Sequence, residues 1–229
     1  MSPMPSHERP DAATLLRTSY DAFVEVLRDV DDDASWNPTG CRGWAVRDLT
    51  YHCVSDAQRA LVAMHTPTGE EADLDAVTYW ADWGSDPVGD ANGRRHTRVV
   101  GAMFGVWDQL RGLHAETATA VADAAAHIDP EQRVRTQGHV LRAADLLSTL
   151  SVEVTIHHLD LVVELPGRPG PPVAGLAEVR RVLDALLGRE APPDWPDERY
   201  VRIATGRATP SAEELASLGP AAGRLPVFT

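Results

Sequence analysis

The sequence predicts a mainly α-helical protein: a four-helix bundle followed by a small C-terminal α/β domain. Long segments with apolar residues at helical spacing fill the first part of the chain. A cluster of proline and glycine at 167–172 then breaks the pattern. Beyond this break the segments are short, and one of them alternates as a strand does. The break therefore marks the domain boundary, with domains at 1–166 and 167–229.

Four helices are predicted in the first domain, and antiparallel helices of this kind form bundles whose interiors commonly hold metal sites. The polar, Pro- and Gly-containing segment 67–93 is predicted as a loop. Within it, Tyr79, Trp80 and Trp83 are placed to pack on the core or to line the mouth of a pocket. A short segment at 131–137 is predicted to be extended. The predicted helices span 12–30, 46–64, 95–113 with an extension over 117–127, and 140–164.

The C-terminal domain is predicted to combine helices and strands. Residues 176–187 have helical spacing, whereas 199–205 alternate and are rich enough in β-branched residues for a strand. Ser211 and Glu214 have the spacing of a capping box, which begins a short helix. Residues 225–228 are predicted as an edge strand. A unit of about sixty residues is too small to be stable alone, so we expect it to dock on the bundle.

Charge and composition exclude several classes of partner. The formal net charge of −13 argues against nucleic acid and anionic membranes, which both require a basic surface. All 21 basic residues are arginine, which indicates a GC-rich genome. The N-terminus lacks an apolar signal core, and no segment approaches the roughly eighteen apolar residues of a membrane span. We expect a soluble, cytoplasmic protein, either a monomer or a homodimer, with neither nucleic acid nor membrane as a partner.

The two cysteines, Cys41 and Cys53, are too few for a disulfide framework, and a cytoplasmic chain would keep them reduced. Neither belongs to a Cys-x-x-Cys pair, so thiol redox catalysis by the chain itself is not indicated. Cys53 follows His52 directly and points to a different side of the helix. We interpret it as a small buried residue rather than a metal ligand.

His52, Glu153 and His157 make the ligand set of a two-histidine, one-carboxylate metal site. Glu153 and His157 are four residues apart and project from one face of the fourth helix, while His52 lies on the second. Three protein ligands leave a coordination position for water or substrate, as in catalytic sites. The alternative is a solvated i,i+4 pair. The surrounding residues are apolar, however, and a buried carboxylate and imidazole need a partner such as a shared metal ion.

Two neighbours of this set allow more than one interpretation. Asp160, a further catalytic candidate, lies one turn beyond His157 on roughly the same face. It would orient the imidazole of His157, or else cap the helix or face solvent. His158 lies about 100° round the helix from His157 and cannot easily join the same site. We interpret it as a residue behind the site or on the surface.

These residues together resemble the mycothiol-dependent maleylpyruvate isomerase family, within the wider DinB-like superfamily of metal-binding bundles. The resemblance covers nearly the whole chain and implies that His52, Glu153 and His157 bind a divalent metal, commonly zinc. Ala45 stands where the family often has Thr or Ser, which removes an N-cap at a cost of about 1 kcal/mol. The resemblance rests on residues 43–48 (GWAVRD) with His52, on Glu153 and His157 with Asp160, and on residues 205–207 (TGR) after a predicted strand.

The resemblance implies an enzyme that uses thiol chemistry at a metal. Mycothiol, the small thiol of actinobacteria, would be the co-substrate, and a small electrophile the substrate. A thiol at the open metal position loses its proton. It would add to a cis double bond, permit rotation and leave, as an isomerase requires, or stay on the product of an S-transferase. The alternatives are metal-activated water for hydrolysis and a non-catalytic, regulatory metal-binding bundle.

Two arginines are candidates for holding a substrate carboxylate through the bidentate contacts that a guanidinium favours. Arg59 lies seven residues after His52, on the same helical face, and Arg207 follows the predicted C-terminal strand. We expect the second domain to dock over one end of the bundle and to bring Arg207 to the rim of the metal pocket. Each arginine is alternatively a surface salt bridge. Asp56 either lies behind the metal site or pairs with Arg59.

Overall fold

The computed structural model of the protein describes residues 10–81 and 87–228, which leaves Trp83 and the N-terminal segment 1–9 outside the described part. The described residues form eight α-helices and one two-stranded antiparallel sheet, so the mainly α-helical fold class is confirmed. The elements are α1 (Ala12–Arg28), α2 (Val46–Met64), α3 (Pro87–Met103), α4 (Trp107–Ala125), β1 (Arg133–Thr136), β2 (His139–Arg142), α5 (Ala143–Leu161), α6 (Val173–Leu187), α7 (Asp197–Ala204) and α8 (Ala212–Leu218).

Helices α1, α2, α4 and α5 form the bundle, because α1 and α2 each pack against both α4 and α5. Their apolar faces meet in a buried core that includes Phe23, Leu49 and Leu110. The predicted second helix is confirmed at both ends. α3 packs on α2, and Gly101 permits a close approach, since a Cβ there would stand 3.1 Å from the α2 backbone.

The single third helix predicted over 95–113 is wrong, because the chain forms two helices separated by residues 104–106. Gly105 lies in this break. The buried guanidinium of Arg47 donates a hydrogen bond of 3.2 Å to the carbonyl oxygen of Phe104, which α3 leaves without a helical partner. α3 begins at Pro87, so the predicted loop over 67–93 is also too long.

The extended segment predicted at 131–137 is confirmed as strand β1, although the sequence did not indicate its partner β2. Gln137 and Gly138 join the two strands, with φ values of 51° and 87°. Two consecutive positive φ angles are the geometry of a two-residue hairpin turn. The helix predicted from residue 140 therefore begins later, at Ala143.

Helix α5 is the central helix of the molecule and contributes to two hydrophobic cores. Val154 packs in the bundle core, while Val152, Ile156 and Leu159 form a second core with the C-terminal helices. Together with the short turn that follows it, α5 forms a helical segment, Ala143–Glu164, that is long and apolar enough to cross a membrane, contrary to the expectation from the sequence. Because 83% of its apolar 18-residue stretch is buried inside the protein, α5 is a core helix.

The strand predicted over 199–205 is wrong, because these residues lie in and just after α7. Tyr200, Val201, Ile203 and Ala204 are all buried, and this spacing of i, i+1, i+3 and i+4 is one face of a helix. A proline precedes the helix and two acidic residues occupy its first turn, which are helix-start signals that outweigh the apparent alternation.

The rest of the C-terminal unit is helical as well, and the edge strand predicted at 225–228 is not formed. The capping box is confirmed: the Glu214 backbone N–H donates to Ser211 Oγ, and the Ser211 N–H donates to the Glu214 carboxylate. Near the chain end, the ring of Phe228 stacks on Trp80 at a centroid distance of 5.0 Å. This unit shares a core with α5, and the division into domains at residue 166 stays a prediction.

Candidate metal centre

The structure brings together the side chains of His52, Glu153 and His157 from α2 and α5. The Nε2 atom of His52 lies 3.1 Å from Glu153 Oε1, and the Nε2 atom of His157 lies 3.2 Å from the same oxygen. The two imidazole rings are nearly perpendicular, with centroids 4.7 Å apart. One potential ligand atom from each residue lies within 4.8 Å of the others.

These separations fit a tetrahedral zinc ion. Nitrogen and oxygen ligands bind zinc at about 2.0–2.1 Å, so two ligands of a tetrahedral ion stand about 3.3 Å apart. The Glu153 oxygen meets this spacing with both imidazole nitrogens. Asp56 does not belong to the set of ligand atoms that lie within 4.8 Å of one another, although its Oδ2 atom lies 3.2 Å from His52 Nε2. The three residues would therefore leave a coordination position open.

The hydrogen bonding of His157 supports the same interpretation. Its Nδ1 atom lies 3.1 Å from Asp160 Oδ2, and a carboxylate can only accept, so Nδ1 carries the proton. In a neutral ring, Nε2 then presents its lone pair to the Glu153 oxygen. Two facing lone pairs repel unless a second proton or a cation lies between them. A divalent metal ion would satisfy this arrangement without an additional proton.

Charge and burial perturb the pKa values of these groups in the metal-free protein. Burial would raise the pKa of Glu153, but hydrogen bonds from His157 and His52 bring it far below its ordinary value. For Asp160, burial is likewise outweighed by hydrogen bonds from His157 and Arg207, which lower its pKa strongly. Both carboxyl groups are therefore ionised at neutral pH.

A second group of polar side chains surrounds Asp160. Cys41 lies in the loop before α2, and its thiol donates to Asp160 Oδ2 at 3.1 Å. Burial raises the pKa of Cys41, so this thiol stays protonated at neutral pH. Cys41, His157 and Asp160 could also hold a metal by their spacing. The guanidinium of Arg207, however, already contacts both oxygens of Asp160 at 2.7 Å, and its positive charge disfavours a cation there.

The remaining predicted residues take different positions. Arg59 is exposed, and no hydrogen bond or ion pair joins it to another of the described residues, including Asp56. Asp56 instead contacts His52, and burial raises its pKa, with His52 opposing the shift. His158 is buried, so its interpretation as a surface residue is wrong. Its Nε2–H donates to the carbonyl oxygen of Pro169 at 3.0 Å, away from the metal centre.

Sequence reasoning missed the contacts that Cys41 and Trp44 make at the site. The centroid of the Trp44 ring lies 5.1 Å from that of His52, so Trp44 of the Gly-Trp motif forms one wall of the candidate metal site. Tyr79 packs against the second core, its phenol oxygen accepts from Gln137 Nε2 at 2.9 Å, and burial raises its pKa to about 12. The Gly-Trp motif marked Trp44. No pattern marked Cys41, because a loop brings it to α5.

The fold and the site define a helical-bundle protein with a candidate two-histidine, one-carboxylate metal centre. The family model described as the mycothiol maleylpyruvate isomerase N-terminal domain matches residues 16–162. Because this match covers more than half of the chain, the protein belongs to that family, and it is an enzyme. The resemblance inferred from the sequence is confirmed.

Two solved structures are similar to this chain: a mycothiol-dependent maleylpyruvate isomerase and a histidine-to-alanine mutant of that enzyme. Each is 22% identical, with a TM-score of 0.54, and the match covers 77% of this chain and 68% of the other. At this identity the likeness shows the fold. No curated protein matches the sequence.

Proposed function

We propose that this protein is a cytoplasmic, metal- and mycothiol-dependent isomerase that acts on a small electrophile. The observation that carries the proposal is the convergence of His52 and His157 on Glu153 Oε1, at 3.1 and 3.2 Å. Membership of the mycothiol maleylpyruvate isomerase family supports the choice of thiol and reaction. The proposed ion is Zn²⁺, because imidazole and carboxylate ligands in tetrahedral geometry suit it.

A divalent metal ion held by these residues would supply the positive charge that ionises a thiol at neutral pH. Neighbouring side chains orient and shield the residues that would hold this ion. Asp160 accepts a hydrogen bond from His157 Nδ1–H and so directs the Nε2 lone pair towards Glu153. Trp44 covers one side of His52 with an apolar ring, which limits the access of water.

The proposed isomerisation needs neither an oxidant nor a net proton. The thiolate forms a C–S bond to one carbon of a cis double bond conjugated to a carbonyl, and the electron pair moves to the carbonyl oxygen. Rotation about the resulting single bond follows. The C–S bond then breaks as the electron pair returns, which restores the double bond in the trans form. Arg59 is suited to hold a substrate carboxylate, because it is exposed, lies seven residues after His52 on the same helix, and makes no hydrogen bond or ion pair with another described residue.

The test is isomerisation of a small cis-unsaturated keto acid, followed by chromatography, with zinc-loaded and zinc-free protein and with and without mycothiol. We expect turnover only when both metal and thiol are present. Glu153→Ala should abolish it, whereas His65→Ala, at the exposed end of α2, should retain it. A product that keeps the sulfur would replace the isomerase by an S-transferase. Turnover without any thiol would contradict the proposal and favour metal-activated water.

A further inference from the structure

Arg207 reaches the metal centre from the C-terminal unit. The chain leaves α7 at Ala204, and Gly206 takes a φ of 71°, a left-handed conformation that glycine adopts without strain. The next side chain turns back towards α5. There Arg207 Nε donates to Asp160 Oδ1 and Nη2 donates to Asp160 Oδ2, both at 2.7 Å. This is the bidentate geometry of a strong arginine–carboxylate pair.

Most of the hydrogen-bond donors of the Arg207 guanidinium are already used inside the protein. Besides the two bonds to Asp160, its Nη1 donates to the carbonyl oxygen of Thr205 at 3.1 Å. The side chain of Arg207 is 17% exposed and that of Asp160 is 1% exposed. The Nε/Nη2 edge of the guanidinium is therefore occupied by a carboxylate of the protein itself.

Close packing and several hydrogen bonds hold the Asp160 side chain in place. The loop before α2 presses on it, because the Gly40 N–H donates to the Asp160 carbonyl at 2.9 Å. A Cβ at Gly40 would stand 2.5 Å from Asp160 Oδ1. The same carboxylate accepts from the Cys41 thiol and from His157 Nδ1, each at 3.1 Å. Arg207, Asp160 and His157 thus form a continuous chain of hydrogen bonds that ends at a candidate metal ligand.

We propose that Arg207 is a positioning residue that fixes Asp160, which in turn fixes the His157 imidazole, so that the docked C-terminal unit sets the metal affinity. The inference rests on the proposed function, because it assumes that His157 is a ligand. Partners that orient a ligand imidazole typically contribute about 10- to 100-fold to metal affinity. Removal of the Arg207 guanidinium should weaken zinc binding by a factor in this range, without removing any ligand atom.

The chain offers a matched control. Arg199 makes the same bidentate pair with Glu214, with both contacts at 2.7 Å, in the same C-terminal unit and away from the site. Arg207→Met and Arg199→Met each remove one such pair. Zinc affinity is measured by competition with a chromophoric chelator, and the melting temperature of each zinc-free variant is recorded in parallel. We expect about 10- to 100-fold weaker zinc binding for Arg207→Met, partial rescue in Arg207→Lys, and unchanged binding for Arg199→Met.

Two further variants distinguish a folding defect in Arg207→Met and a failure of the proposed metal site from a failure of the positioning role. If Arg207→Met does not fold, Asp160→Asn preserves the side-chain volume, and the same loss of affinity is expected. Unchanged zinc affinity in a folded Arg207→Met or Asp160→Asn protein overturns the positioning role, as does an equal loss in Arg199→Met. Glu153→Ala tests the site itself: full zinc occupancy in this variant refutes the proposed metal centre, whatever Arg207 does.

Discussion

The buried imidazole of His114 should make the folded protein less stable in acid, and a single substitution can isolate this effect. The side chain lies on α4 and is 1% exposed, and neither ring nitrogen has a hydrogen-bond partner among the described residues. Its nearest aromatic neighbour is Phe23, with ring centroids 5.1 Å apart. Burial without a partner disfavours the charged imidazolium and lowers the pKa of His114 from 6.5 to about 4.

The sign and size of the effect follow from this shift. Above pH 6.5 the ring is neutral in both the folded and the unfolded protein and has no effect on the pH dependence. As the pH falls below 6.5, the unfolded chain binds a proton that the folded protein does not, so the free energy of unfolding decreases. With about 1.4 kcal/mol per pKa unit, the loss is about 2 kcal/mol at pH 5 and about 3 kcal/mol at pH 4.

The assay is urea unfolding of the zinc-free wild type and His114→Leu at pH 7.5 and pH 5. At pH 7.5 we expect the leucine variant to be at least as stable, because it removes two buried unpaired nitrogens. At pH 5 its advantage should grow by about 2 kcal/mol, since the other titrating groups are common to both proteins. Thr119→Ala, which changes an exposed, non-titrating side chain on the same helix, is the control and should show no such change. A constant difference between wild type and His114→Leu at the two pH values would refute the reasoning.

Three further predictions concern local structure. Ala45→Ser should stabilise the protein by about 1 kcal/mol in urea unfolding, because position 45 has the extended backbone of an N-cap but no side-chain acceptor. Gly101→Ala should lower the melting temperature, because its Cβ would stand 3.1 Å from the α2 backbone. Gly112→Ala, also within a helix but with no atom within 4 Å of its Cβ, should raise it; the same sign for both would contradict the packing of α3. Gly40→Ala should weaken zinc binding in chelator competition, since its Cβ would displace Asp160, and an unchanged affinity would show that the carboxylate can move freely.

The sequence predicts the elements that carry the site better than those around it. α2 and α5 are long and apolar at helical spacing, so tertiary contacts agree with the local pattern. α7 is only eight residues long, and the β-branched Val201, Ile203 and Thr205 alternate along the sequence, so a short window also fits a strand. At the break between α3 and α4, the carbonyl oxygen of Phe104 accepts from Arg47, which is distant in sequence, so no local pattern indicates this contact.

The residues of the candidate site also divide into those that the sequence predicts and those that it does not. The spacing of Glu153 and His157 places both on one face of α5, and His52 on a second predicted helix completes the two-histidine, one-carboxylate set, so the sequence predicts that these side chains meet. The partner of Arg207 could not be predicted, because any of the acidic residues is a plausible partner until the C-terminal unit is docked. Cys41 enters the site from a loop, whose path has no periodicity to reveal it.

Calorimetric titration of mycothiol into the zinc-loaded and zinc-free protein tests the central claim most directly. We predict binding to the zinc form alone, with release of about one proton per thiol near neutral pH, because a free thiol is mostly protonated and a coordinated one is not. Two buffers of different ionisation enthalpy give the proton count. Glutathione should bind much more weakly, since it lacks the sugar portion. Equal binding of mycothiol to both forms, or no binding to either, would contradict the account.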